Sequence, residues 1–100
     1  MDEKLLDEIL NFIDMQFADE TTKKKIERIV EDGIADIDEM SGFENDYMQA
    51  GRARSLLFNR TQYELNNALD DFYTNYRKEI VAFINISRVK NAQSKDDQTV

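Results

Sequence analysis

The chain has no proline and only three glycines (Gly33, Gly42 and Gly51) in 100 residues. A β-rich fold of this length needs turn residues at short intervals. This chain cannot supply them, so long helices with few breaks are expected. Hydrophobic residues make up 41% of the sequence, enough for one core in a single small domain.

Apolar spacing predicts four helices. The first covers Asp2 to Met15, with Leu6, Ile9, Leu10, Ile13 and Phe17 on one stripe and Leu5 and Phe12 on its flank. Asp19 or Thr21 caps the second, which runs to about Met40 and aligns Ile26, Ile29, Val30, Gly33, Ile37 and Met40. A mid-helix glycine costs about 1 kcal/mol against alanine. Gly33 therefore marks either the close approach of a neighbouring helix or a local bend. Ser41-Gly42 ends the helix, Gly42 serving as a left-handed cap.

The third helix, capped by Asn45 or Asp46, runs to about Asn66. Its apolar residues fall on two sides. Ala50, Ala53, Leu56, Leu57 and Tyr63 form one face, and Tyr47, Phe58 and Leu65 point nearly the opposite way. Either it is the centre of the fold or its second side meets another subunit. Asn66-Asn67 is a break, since Asn prefers caps and turns. A fourth helix, from about Leu69 to Ile86, carries the cleanest stripe: Leu69, Phe72, Tyr73, Tyr76, Ile80, Phe83, Ile84 and Ser87. The expected fold is all-α, a small four-helix bundle over residues 1–90, with residues 91–100 a flexible polar tail.

Charge is unevenly spread. Residues 1–48 hold 15 Asp/Glu against 5 Lys/Arg, a net of −10, whereas residues 49–100 hold 6 against 8, a net of +2. The acidic half repels nucleic-acid phosphates. With no histidine and no cysteine, the commonest general base, the usual metal ligands and the thiol nucleophile are missing. No Gly-rich phosphate loop or Asp-x-Asp-x-Asp-Gly loop occurs, and the many carboxylates fall on polar helix faces. The chain is expected to be no enzyme and to need no metal or cofactor. The N-terminus MDEKLLDEIL is acidic and lacks the apolar run of a signal or membrane span. Lys23-Lys24-Lys25 reads as a solvated first turn, and Arg60 as a side chain that snorkels along the core or reaches an acid across helices.

The run from Ala53 to Ile80 carries a family likeness. Ala53, Arg54, Leu56 and Leu57, then Tyr63, the Asn67-Ala68-Leu69 break, and Phe72 and Tyr76 beyond it resemble the helix–break–helix segment of phage head–tail connector proteins. Asp19, Ser41, Gly42, Asp46 and Tyr47 sit at similar places in the N-terminal half, and the likeness extends to about residue 90. The proline that some relatives carry at the break is missing, and the stretch after Lys90 has no counterpart. The resemblance implies a structural adaptor in the virion neck. It would assemble in the host bacterial cytoplasm as a ring, dodecameric in the family, beneath the portal protein. It would extend the DNA channel without sequence-specific binding and dock the next neck or tail completion protein. On this reading Tyr47, Phe58, Leu65, Arg52 and Arg54 serve a subunit or partner interface, and Arg88, Lys90 and Lys95 a portal-contacting tail. The alternative is a monomeric helical binding or regulatory module that uses the Phe58/Leu65 side as a groove.

Overall fold

The computed structural model describes the backbone of residues 1–99 and the side chains of residues 1–93. Its described residues form five helices: α1 (Glu3–Phe12), α2 (Glu20–Ser41), α3 (Arg52–Leu65), α4 (Leu69–Asn75) and α5 (Arg77–Thr99). The all-α expectation holds, but the boundaries differ in ways that local chemistry explains.

α1 starts on Asp2, whose Oδ1 accepts from the Lys4 amide at 2.8 Å. It stops short of Met15 because Asp14 takes a left-handed conformation at φ 58°. The Met15 amide then closes back onto the Leu10 carbonyl at 2.8 Å and the Asp14 amide onto Asn11 at 3.2 Å. This is a Schellman closure with Asp where glycine is usual; a short polar side chain tolerates that conformation best among non-glycine residues. Phe17 therefore leaves the helical stripe. It lies in the connection to α2, 96% exposed, and is not the core residue its spacing suggested.

α2 begins where Asp19 accepts from the Thr22 amide at 2.8 Å and ends at Gly42, left-handed at φ 79°. α3 starts later than expected. The Asp46 side chain accepts from the Met48 amide at 3.0 Å, which folds residues 46–49 into a turn. Gly51, at φ 149°, then separates this turn from the helix. At the other end Asn67 repeats the Asp14 closure at φ 58°, with the Ala68 amide 2.8 Å from the Tyr63 carbonyl.

The single last helix expected from Leu69 is two. Tyr76, at φ −103° and ψ 15°, separates α4 from α5. It keeps its bond to the Phe72 carbonyl and accepts from the Ile80 amide, both at 2.9 Å, so the two pieces form a bent rod. Thr74 Oγ1 donates to the Asp70 carbonyl at 3.1 Å, a back-bond that bends helices. The Tyr76 ring is held at the bend, stacked on Phe72 with centroids 5.0 Å apart. α5 continues to Thr99, across the stretch expected to be a tail from residue 91.

α3 is the centre of the molecule. Leu56, Leu57, Phe58, Arg60 and Thr61 are all buried, which needs neighbours on nearly every side. α2 supplies Ile26, Val30 and Ile37, α1 supplies Leu5, Ile9 and Leu10, and α4 and α5 supply Phe72 and Phe83. Each such side chain contributes about 1.5–3 kcal/mol on burial. Gly33 marks the α2–α3 crossing: a Cβ there would lie 2.9 Å from Leu57 Cδ1 and 3.3 Å from an Arg60 guanidinium nitrogen. Close approach, not a bend, is its use. The whole measures 52 × 28 × 18 Å.

Candidate functional site

Three polar clusters fasten the helices to one another. The first is built on Arg60, which is 6% exposed. Its Nε donates to Asp36 of α2 at 3.2 Å and a second nitrogen to Glu64 at 3.3 Å. The Tyr73 hydroxyl of α4 donates to the same Asp36 oxygen. Burial works against the charge on Arg60, but Tyr73, Glu64 and Asp36 together more than offset it and hold the guanidinium above its ordinary pKa. Burial first, and then the Asp36 bond, raise Tyr73 and keep it a phenol. Arg60 thus reaches an acid across helices, one of the two expected alternatives.

The second cluster gathers at the end of α2. The Tyr47 hydroxyl donates to Asp38 Oδ1 at 2.6 Å, and Asn45 Nδ2 donates to the same oxygen at 2.9 Å. Burial, and after it the Asp38 carboxylate, push the Tyr47 hydroxyl far above the usual tyrosine range. Asn91 of α5 donates to the Ser41 carbonyl at 2.9 Å, tying the last helix to the end of α2. The third cluster pairs Arg54 with Glu8 of α1 at 3.0 Å. The same guanidinium donates to the Tyr47 carbonyl at 3.0 Å and lies 4.3 Å from the centre of the Phe58 ring.

These clusters are suited to holding helices in register. Their carboxylates already accept from Arg, Tyr or Asn, and among the described residues no group of His, Cys, Asp and Glu is arranged to hold a metal ion. No helix of the described residues is long and apolar enough to cross a membrane.

The residues expected at an interface divide unevenly. Tyr47 and Phe58, 5% and 7% exposed, are enclosed within one chain, so they are core and not a spare face. Phe12 of α1 sits edge-on to Phe58 at 5.5 Å, and a cleft of about 380 Å³ beside the two rings, bordered by Arg54, Ser55 and Asn59, is what is left of the groove that the alternative reading required. Leu65 is half-buried against the core, and Arg54 is paired as above. Arg52 is exposed. Arg88 and Lys90 are exposed on α5 itself and do not belong to a tail, whereas the Lys95 side chain lies outside the described residues.

The uncovered apolar surface lies elsewhere. Val81 and Val89 of α5 are 49% and 57% exposed, on the side of the helix away from Phe83 and Ser87, whereas Ile86, 41% exposed, stands at the edge of the cleft those two residues line. The eight-residue spacing of Val81 and Val89 is visible in the sequence, but the stronger core stripe of the same helix overshadows it. A cleft of about 330 Å³ also opens between the 43–51 connection, the start of α3 and α5. It holds Arg52 and Lys90, which sequence spacing does not bring together.

Compared with known proteins, the chain matches no family model, no characterised protein and no solved structure.

Proposed function

We propose that the chain is a structural head–tail connector of a tailed bacteriophage or prophage, without enzymatic activity. It assembles as a ring under the portal protein, lines the DNA channel and docks the next neck or tail protein. The observation that carries this reading is the outward pair Val81 and Val89, uncovered on a helix face they share with Lys78 and Arg88. In a ring, the contact with the neighbouring subunit covers this face. Taking α4 and α5 as one bent rod, we read the packing as a four-helix bundle. The family likeness of the Ala53–Ile80 segment and the acidic N-terminal half support the same reading, because an acidic wall lets DNA slide past without sticking.

The test is light scattering after size exclusion, with and without the portal ring, backed by negative-stain images. Rings, or a complex with the portal, are expected. They should be lost in Val81→Glu/Val89→Glu while the helical signal is kept. A parent chain that stays monomeric and ignores the portal overturns the proposal.

A further inference from the structure

The cleft beside the start of α3 has the makings of a ligand site. Its floor is the first turn of α3, a helix of 14 residues whose N-cap, Gly51, offers no side-chain acceptor. The first amide donor used inside the helix is that of Ser55, which bonds the Gly51 carbonyl at 3.1 Å. The amides of Arg52, Ala53 and Arg54 thus point out of the helix end without protein partners among the described residues.

A second observation comes from the opposite wall. Ser87 of α5 lines the cleft and is 2% exposed, yet its hydroxyl has no hydrogen-bond partner among the described residues. No fully enclosed side-chain nitrogen or oxygen lacks a partner. The small exposed part of Ser87 is therefore its oxygen, open to the cleft. A buried hydroxyl in that position has a donor to give.

The charges agree. Arg52 and Lys90 line the cleft, and neither pairs with a carboxylate among the described residues. Asp46 is the acid in the lining, and its Oδ1 is occupied by the Met48 amide at 3.0 Å. A Cβ at Gly51 would meet nothing within 4 Å, so the backbone there borders open space.

We infer that this cleft is an oxyanion site, which takes a single phosphate or carboxylate group on the α3 first-turn amides, the Ser87 hydroxyl and the Arg52 and Lys90 cations. A helix N-terminus with free amides favours negative charge, and charge-assisted donors from a second element fix its place. The site shares only Ile86, at its edge, with the exposed apolar positions of α5, so the Val81→Glu/Val89→Glu change that tests ring formation leaves its anion donors in place.

Amide NMR on the labelled full chain at low ionic strength, titrated with inorganic phosphate, tests this. The amides of Arg52, Ala53, Arg54 and Ser87 should shift together and saturate. Ser87→Ala should weaken binding about fivefold through one lost charge-assisted bond. Arg52→Gln with Lys90→Gln, both exposed and remote from the core, should weaken it about tenfold or more. A parallel titration with N-acetylglutamate identifies the source: saturation by either anion supports the site, and the tighter one names the ligand class. Shifts that stay linear, shifts equally large at Lys23–Lys25, or a Ser87→Ala chain that binds like the parent overturn the inference.

Discussion

Replacing Arg60 with Met removes the guanidinium but keeps a long stem over Gly33 and Leu57. What is lost is the ion pair to Asp36, the bond to Glu64 and the neighbour of the Tyr73 hydroxyl. Breaking a fully buried pair costs about 3–5 kcal/mol, because the orphaned charge has no water. Here the orphans are partly wet: the Asp36 and Glu64 side chains are 30% and 24% exposed, and Asp36 keeps the Tyr73 bond. The expected cost is therefore about 2–3 kcal/mol, above the ~0.2–1 kcal/mol of an exposed pair. In a domain of this size that lowers Tm by roughly 10–20 °C. Urea melts followed by far-UV circular dichroism should show a lower midpoint at an unchanged slope. Asp36→Asn in the same background should then cost little more, since the pair is already gone. A loss below about 1 kcal/mol refutes the reasoning. It would mean that α2, α3 and α4 are held by apolar packing alone.

Gly33→Ala gains about 1 kcal/mol of helix propensity, but its Cβ would sit 2.9 Å from Leu57 Cδ1, and Leu57 is completely buried. Overpacking of about 1–3 kcal/mol outweighs the gain, so urea melts should show net destabilisation, relieved by Leu57→Val. Tyr47→Phe leaves Asp38 with its Asn45 bonds and should cost about 1–2 kcal/mol. Because the folded Tyr47 and Tyr73 pKa values lie above the ordinary tyrosine value of 10.0, their contribution is full below that pH and lost as pH rises through the folded values. Absorbance at about 295 nm should thus show ionisation delayed until alkaline unfolding. Asp19 is the opposite case: its bond from the Thr22 amide lowers its pKa below 3.8. Its contribution is full above that value and fades as pH falls through the folded one. Asp19→Asn, which caps without titrating, should flatten that part of a Tm-against-pH curve.

Features set by a few adjacent residues were legible in the sequence. Asp19 caps α2, Gly42 ends it and Asn67 breaks the chain because each acts on amides and carbonyls within a turn of itself. Gly33 on an apolar helical face was legible as either a crossing or a bend, and only the position of Leu57 against it decides for the crossing. Boundaries that depend on competition between local options were not. Asp14 and Asp46 both divert the backbone into turns where the apolar period alone continues a helix. The bend at Tyr76 reflects aromatic packing against Tyr63 and Phe72, partners that period counting along one helix does not reveal. The two-sided pattern of α3 left two options, the centre of the fold or a contact with another subunit, and which neighbour absorbs the second side is a tertiary matter. Phe12 and Arg54 cover Phe58, so the spare apolar surface moves to α5. The cleft joins Arg52 to Ser87 and Lys90, which lie 35 and 38 residues further along the chain, and no local signal links the two ends.

The shortest dimension of the molecule, 18 Å between Cα extremes, leaves room for two helix diameters of about 10 Å. The interior is consequently a single seam, and every side chain in it lies close to an outer wall. A void cut into such a seam is shallow enough to collapse or to flood. Truncations at Ile26 or Val30 should therefore cost less than equal losses in a thick globule, and the molecule should yield by loosening along its length instead of shattering at one point.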